Sequence, residues 1–139
     1  MTSIIFDILN VFYNIFKMSN IKSPEKEIGR LLKIIQPVAR LKLLLAIGHS
    51  EACVCHLEAR LDYRQAYISQ HLMALRKAKL LTTRREGRYI YYRLTKPEII
   101  EIIADIAHLM DISNEEFAVR LQSEPLPQCC CPHCADHAK

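Results

Sequence analysis

The sequence has little glycine, and one long stretch of it is almost without acidic residues. Only 3 of the 139 residues are glycine, whereas 50% are hydrophobic. This composition excludes a disordered chain and predicts a globular, helix-rich protein of one domain with a terminal appendage. Between residues 64 and 96 nine Lys/Arg face a single acid, Glu86, although the net charge of the chain is only +4. A basic block inside a folded region predicts a surface that contacts phosphates.

The N-terminal region lacks the features of a secretory signal and of a membrane span. Its apolar stretch, residues 3–17, contains Asp7 and is too short to cross a bilayer. The first basic residue, Lys17, follows the apolar stretch instead of preceding it. We therefore predict a cytoplasmic protein with no membrane partner and an amphipathic N-terminal extension over residues 1–20.

The six cysteines are confined to Cys53-Val-Cys55 and a C-terminal tail. In a cytoplasmic chain such clusters favour metal or redox chemistry over a disulfide scaffold. Thiolates are soft ligands that prefer As(III), Cd(II), Pb(II), Cu(I) and Zn(II) to hard cations. Two thiolates are an incomplete site, so we predict that the tail completes it. The predicted ligands are Cys53, Cys55, Cys131 and Cys134, with Cys129, Cys130 and His133 as further candidates.

Helical periodicity and terminal signals predict helices in the first part of the chain. They begin at Ser23-Pro24 and continue over 38–47, 54–61 and 65–78. Cys53 and Cys55 fall at the start of one of these helices, where the helix dipole is expected to lower thiol pKa values.

A β-hairpin and further helices are expected after residue 79. Strand-like segments at 80–85 and 89–94 flank Glu86-Gly87, which is a two-residue hairpin signal. A capping-box pattern at 95–98 predicts the next helix, and Ser113 is expected to cap a last helix that ends near residue 122. Prolines in the tail are expected to keep it outside regular structure.

Two helices joined by the tight turn at 62–64 and followed by a basic hairpin predict a winged helix-turn-helix. The second helix would present its polar N-terminal half to the DNA major groove, where Gln and Arg contact base edges. Its apolar residues Ile68, Leu72 and Leu75 are expected to face the core. The hairpin, or wing, would contact the adjacent minor groove or backbone. The predicted DNA-binding residues are Arg64, Gln65, Tyr67, Ser69, Gln70, His71, Arg76, Lys77, Arg84, Arg85, Arg88 and Tyr89.

Four segments together resemble the ArsR/SmtB family of metal-responsive repressors, over roughly residues 25–112. They are residues 37–45, Glu51-Ala-Cys-Val-Cys-His-Leu57, residues 65–81 and residues 84–94. The resemblance implies a homodimer with terminal helices at its interface. This dimer would bind an imperfect palindrome in double-stranded operator DNA and would dissociate from it when an inducer binds. The Ile-rich segment 97–110 would be the dimer helix, and a long apolar stripe on a small domain independently favours a partner surface.

The chain departs from the metal-site patterns of that family at several positions. Members with Cys-Val-Cys here resemble arsenic, cadmium or lead sensors, which carries over to Cys53 and Cys55. Glu58 stands where arsenic-type members often have a third cysteine, and residues 1–50 lack the cysteines of a cadmium- or lead-type N-terminal arm. The interfacial zinc site of other members is rejected because Ala107 and Ala118 replace its histidines.

The sequence therefore predicts a non-enzymatic repressor, mainly α-helical with a β-hairpin wing, that a thiophilic ion releases from operator DNA without an organic cofactor. We divide it into the extension 1–20, a winged helix-turn-helix domain with dimerisation helices over 21–123, and a Cys-rich tail over 124–139. Three alternatives remain: a thiol-redox or persulfide switch of the same fold, a protein–protein adaptor that has lost DNA binding, and an enzyme with a cysteine nucleophile. No Cys/His/acid set is arranged to support the enzyme.

Overall fold

The computed structural model describes residues 23–121 and 125–136, so the predicted extension over 1–20 lies outside the described residues. The chain divides into two compact units, Met1–Lys33 and Ile34–Lys139. Helix α1, Pro24–Ile35, begins in the first unit with proline at its first position, as predicted. The carbonyl of Ser23 accepts hydrogen bonds from the backbone N–H groups of Lys26 (3.0 Å) and Glu27 (3.2 Å).

The second unit continues with helices on either side of a β-hairpin. In chain order its elements are α2 (Val38–Ile47), β1 (Glu51–Cys53), α3 (Val54–Leu61), α4 (Gln65–Lys77), β2 (Leu81–Glu86), β3 (Tyr89–Leu94), α5 (Ile99–Leu109), α6 (Asn114–Arg120) and α7 (Pro132–Asp136). This order confirms the predicted fold, a mainly helical winged helix-turn-helix.

Helices α2, α3 and α4 enclose the core of the helix-turn-helix. Ile68, Leu72 and Leu75 of α4 are fully buried, which confirms that this stripe faces inward. They are joined by fully buried Leu57 of α3 and by Leu43, Leu44 and Ile47 of α2. Burying each such side chain contributes about 1.5–3 kcal/mol, so the apolar stripe fixes the rotation of α4 and leaves its polar residues facing outward.

The strands pair antiparallel in the order β1-β3-β2, so β3 is central. Strand β1 was not predicted, because three residues are too few to show an alternating pattern. The turn between β2 and β3 is Gly87-Arg88, with Gly87 at φ 57°, so the predicted turn at Glu86-Gly87 is one residue out. Cys53 and Arg84 pair with Tyr91 from opposite sides. Strand β3 therefore links the wing to the end of β1, where Cys53 lies.

Of the two helices that follow the hairpin, α5 does not start as predicted, whereas α6 does. Helix α5 begins at Ile99 without a side-chain cap, and the N–H of Thr95 donates to the carbonyl of Leu80 at 2.9 Å, so the predicted capping box is wrong. Ser113 caps α6 as predicted, since its Oγ accepts from the N–H of Glu116 at 3.2 Å.

The tail contains one short helix, contrary to the expectation that its prolines exclude regular structure. Pro132 occupies the first position of α7, where the lack of a backbone N–H costs no helical hydrogen bond. The N–H groups of Cys134 and Ala135 both donate to the carbonyl of Cys131, at 3.1 and 2.9 Å.

Helix α5 has apolar residues on two faces. Its buried residues are Ile99, Ile100, Ile103 and Ala107, whereas the exposed apolar residues on and just after the helix are Ile102, Ile106, Leu109 and Met110. Across the described ranges, the helices are all too short or too polar to cross a membrane.

Candidate metal centre and nucleic-acid interface

Four cysteine sulfurs from distant parts of the chain meet beside strand β3. Cys53 ends β1 and Cys55 lies in the first turn of α3, with their Sγ atoms 2.8 Å apart. The tail adds Cys129, whose Sγ lies 3.5 Å from that of Cys55 and 3.4 Å from that of Cys131. All four sulfurs lie within 4.8 Å of one another, and we call them the sulfur cluster. Sulfurs around a tetrahedral ion with metal–sulfur bonds of about 2.3 Å are about 3.8 Å apart, so the donor set fits a thiophilic ion.

The tail is held against the domain by packing and by one hydrogen bond to the wing. Cys129 and Cys131 are buried together with Tyr91 of β3, and Leu126 packs against this group. The hydroxyl of Tyr89 donates to the carbonyl of Cys130 at 3.0 Å. The tail thus reaches the first cysteine pair within the same chain.

A second donor group lies next to the sulfur cluster and shares Cys129 with it. His56 is buried, and its Nδ1 lies 3.2 Å from the Sγ of Cys134. A ring nitrogen of His56 and the sulfurs of Cys129 and Cys134 all lie within 4.8 Å of one another. The donor group around Cys53 and Cys55 therefore contains Cys129, whereas the Cys-x-x-Cys spacing predicts Cys134 in this group.

His56 is not among the predicted candidate ligands, although its position directly after Cys55 is a signal that could have suggested it. Within the described part of the chain, neither donor group includes Cys130 or His133, whose side chains are exposed. The roles predicted for those two residues stay predictions.

Burial controls the protonation of the cluster. It raises the pKa of Cys53, and the nearby Cys55 thiol raises this pKa further. The N–H of His56 donates to Cys53 Sγ at 3.4 Å and lowers the pKa, but by less than burial raises it. The expectation that a helix N-terminus lowers this pKa is therefore wrong for Cys53. Burial likewise raises the pKa of Cys129 to about 11 and of Cys134 to about 12.

Cys131 is the exception among these buried thiols. Burial raises its pKa, but hydrogen bonds from the backbone N–H of Cys134 and from neighbouring thiols outweigh that effect and leave the pKa lowered. Burial thus keeps protons on Cys53 and Cys129, and an ion that binds there must displace them. Burial lowers the pKa of His56, with Arg60 adding to this, so the ring is neutral and able to coordinate at neutral pH.

The polar side of α4 carries most of the residues predicted to bind DNA. Ser69 and His71 are half-buried, and the others are exposed: Arg64, Gln65, Tyr67, Gln70, Arg76 and Lys77. His71 is tied to α2, because its Nδ1 accepts a hydrogen bond from Nε of Arg40 at 3.4 Å. Burial, with a contribution from Arg40, lowers the pKa of His71. The ring of Tyr67 stacks edge-on with His71, at a centroid distance of 4.5 Å.

The predicted wing residues differ in whether they contact the elements that carry the cysteines. Arg85 and Arg88 are exposed. Arg84 instead pairs with Glu51 of β1 (Nε–Oε2 3.3 Å) and with Glu86 (2.7 Å), and its guanidinium lies over Tyr91. Glu51 was not predicted as a site residue, since the strand that places it was missed. Arg84 and Tyr89, predicted to contact DNA, both contact the elements that carry the cysteines.

The chain is similar to characterised bacterial regulators. Residues 37–83 match the family model described as "Bacterial regulatory protein, arsR family". The chain is 48% identical over 79 residues to the arsenic resistance transcriptional regulator ArsR1 of Pseudomonas putida, covering 57% of this chain and 60% of that protein. It is 30% identical over 90 residues to the arsenical resistance operon repressor of Staphylococcus aureus, covering 65% and 86%.

A solved structure shows the same fold. HlyU from Vibrio cholerae N16961 aligns with a TM-score of 0.58 at 30% identity, covering 64% of this chain and 97% of that one. The matched segment spans only 57% to 66% of the length of three curated relatives, of which ArsR1 of Pseudomonas putida is one.

Proposed function

The chain belongs to the ArsR family of bacterial regulatory proteins, and on this premise we propose that it is a repressor that a thiophilic ion releases from operator DNA. The ion is As(III), Cd(II), Pb(II) or Zn(II), and the DNA-bound form is a homodimer. The observation that carries the proposal is the sulfur cluster, in which two thiols at the start of the helix-turn-helix meet two from the tail within 4.8 Å. The names of two relatives, an arsenic resistance regulator and an arsenical resistance repressor, support it.

Ion binding would act where β1 meets α3, because Cys53 and Cys55 lie on either side of that junction. The Sγ atoms of Cys53 and Cys55 are 2.8 Å apart, whereas two sulfurs on one tetrahedral ion are about 3.8 Å apart. We infer that rearrangement of these two side chains around an ion shifts the first turn of α3 relative to β1, because Cys53 ends β1 and Cys55 lies in α3. Because α3 packs on α4, the shift reaches the helix predicted to read DNA.

The shift matters because a dimer presents two reading helices at a fixed spacing. Half-sites lie one DNA turn apart, so a change in the position of α4 relative to the dimer helices weakens both contacts together. A coupling free energy of about 1–3 kcal/mol would lower DNA affinity roughly 5–150-fold.

Helix α5 is the proposed dimer contact. The apolar side chains on and just after its outer face, from Ile102 to Met110, are 44% to 80% exposed in the single chain. A second copy of the same face would bury them in a two-fold interface, which is the commonest arrangement in soluble oligomers.

The test is a DNA-release titration of the reduced, full-length protein. A duplex selected from random sequences by the ion-free protein is titrated with As(III), Cd(II), Pb(II) and Zn(II) while sulfur-to-metal charge-transfer absorption is recorded. At least one ion is expected to release the DNA with a charge-transfer signal that the Cys53→Ser/Cys55→Ser variant lacks. Unchanged DNA binding with every ion would refute the proposal.

A thiol-redox or persulfide switch is the second candidate, favoured by the 2.8 Å approach of Cys53 and Cys55. In that case the two thiols would lose two protons and two electrons to a peroxide, which is reduced to water, and a disulfide would form. Burial opposes this chemistry because it keeps Cys53 protonated, and the thiolate is the nucleophile. Peroxide that releases the DNA from chelator-treated protein, with no response to ions, would favour the switch.

A further inference from the structure

His56 and Cys134 form a pair of buried donors that one ion in the sulfur cluster leaves unused. Their side chains are 4% and 1% exposed, and Nδ1 of His56 lies 3.2 Å from Sγ of Cys134. A tetrahedral ion takes four ligands, and Cys53, Cys55, Cys129 and Cys131 already supply four sulfurs. The pair is therefore in excess of what a single ion needs.

Cys129 connects the two donor groups. Its sulfur lies within 4.8 Å of every donor in the sulfur cluster and of the donors of His56 and Cys134. A thiolate has more than one lone pair and can bridge two ions. With metal–sulfur bonds of about 2.3 Å, two ions that share one sulfur lie at most about 4.6 Å apart, so the second ion would lie directly beside the first.

Charge also favours a second ion in this buried place. One divalent ion held by four thiolates leaves two units of negative charge uncompensated, and burying net charge is costly. Two divalent ions with the five thiolates of Cys53, Cys55, Cys129, Cys131 and Cys134 leave only one unit. The neutral imidazole of His56 supplies a ligand without adding charge.

We propose that the chain binds two divalent thiophilic ions per protomer, Cd(II) or Zn(II), with Cys129 as the bridging thiolate. The first ion is held by Cys53, Cys55, Cys129 and Cys131, and the second by Cys129, Cys134 and His56. Three protein ligands leave the fourth position of the second ion to a ligand from solution. This inference deepens the proposed function and rests on it for the first ion.

The test is the stoichiometry and ligand environment of ¹¹³Cd in the reduced full-length protein. Native mass spectrometry is expected to show two Cd(II) per protomer, and ¹¹³Cd NMR two resonances, one for four sulfurs and one for mixed sulfur and nitrogen, split by coupling through the shared sulfur. His56→Ala and Cys134→Ser are each expected to bind one Cd(II) and to keep the four-sulfur resonance. Cys130→Ser, which removes an exposed thiol, is the matched control and should keep both ions.

Using two variants guards against a folding defect, because His56 is a buried residue and Cys134→Ser changes a single atom on another element. Saturation of the wild type at one Cd(II), or two Cd(II) in both variants, would overturn the inference. The DNA-release titration separates it from the proposed function. Two bound Cd(II) without release would refute the repressor mechanism alone, whereas release with one bound Cd(II) would refute the second ion alone.

Discussion

Arg84 of the wing is bound to Glu51, the residue two positions before Cys53. Its guanidinium donates to both carboxylate oxygens, and this contact is the main reason that the pKa of Glu51 lies below its usual range. Strand β1 thereby holds a wing cation that would otherwise be available to a DNA phosphate. An ion that moves Cys53 moves the strand that carries Glu51.

Replacing Glu51 should free Arg84 from β1 and make it more available to a DNA phosphate, with Glu86 as its remaining ion-pair partner. For Glu51→Gln we expect DNA affinity at low salt to rise several-fold, with the slope of log affinity against log salt steeper by about 1, as one more phosphate is neutralised. Stability should change little, since partly exposed ion pairs contribute about 0–1 kcal/mol. Fluorescence anisotropy across a salt series measures this. Glu101→Gln on α5 removes the same charge away from the wing, and an equal slope for both variants would contradict the prediction.

The cysteines should differ sharply in importance according to their place in the cluster. We expect Cys55→Ser and Cys129→Ser to bind the duplex normally but to lose most of the roughly 5–150-fold ion-induced loss of DNA affinity. Cys130→Ser should respond like the wild type, because this thiol is exposed and belongs to neither donor group. Ion titrations of all three variants on the same duplex provide the comparison. A response that survives in Cys129→Ser would exclude the tail from the first site.

Ion uptake should strengthen as the pH rises. At neutral pH the Cys129 and Cys134 thiols, whose pKa values burial raises to about 11 and about 12, hold protons that the ion must displace. Each displaced proton makes the apparent affinity rise about tenfold per pH unit below the thiol pKa. Competition with a chelator of known pH dependence, between pH 6 and 8, gives the slope. Affinity that is independent of pH would mean that thiolates are already present before binding.

The buried stripe of α4 should dominate the stability of the helix-turn-helix. Leu72→Ala removes a fully buried side chain, so we expect the free energy of unfolding to fall by about 2–5 kcal/mol. Its neighbour Met73 is 66% exposed, and Met73→Ala should change stability by less than about 0.5 kcal/mol. Urea unfolding followed by circular dichroism compares the pair. Similar losses for both would mean that α4 is not anchored by this stripe.

Two exposed residues of α4 should affect DNA binding in different ways. We expect Gln70→Ala to cost about 1–3 kcal/mol on the selected duplex and to leave binding to unrelated DNA unchanged, as for a base contact. Arg76→Ala, in the last turn, should weaken binding to both DNAs alike and reduce the salt slope by about 1, as for a phosphate contact. Affinities for both DNAs at several salt concentrations decide this. Reversed patterns would reassign which end of α4 lies in the groove.

Long periodic elements could be predicted from the sequence, and short ones could not. The buried stripe of α4 repeats often enough to fix both the helix and its inner face. Strand β1 has three residues and α7 has five, so neither shows a period, and each forms because the rest of the fold offers it a partner. Their absence from the prediction also hid Glu51, which β1 places beside the wing.

The sulfur chemistry was predictable in kind but not in arrangement. Residue types predicted a cysteine cluster that could hold a thiophilic ion, whereas the choice of tail ligands rested on local spacing. Spacing favoured Cys134 as the partner of Cys131, but α7 turns Cys134 toward His56 and leaves Cys129 beside Cys55. Which donors converge is decided by tertiary packing around Tyr91, and no local pattern reports that.

Strand β3 connects the sulfur cluster to the tip of the wing. From Tyr91, opposite Cys53, to the tip at Gly87-Arg88 the strand extends about 13 Å at 3.3 Å per residue. With β2 and β3 joined along their whole length, a rotation of only about 5° at the base displaces the tip by about 1 Å, a third of the length of a hydrogen bond. A rotation at the base would therefore move both wing strands together, without unfolding between the cluster and the tip.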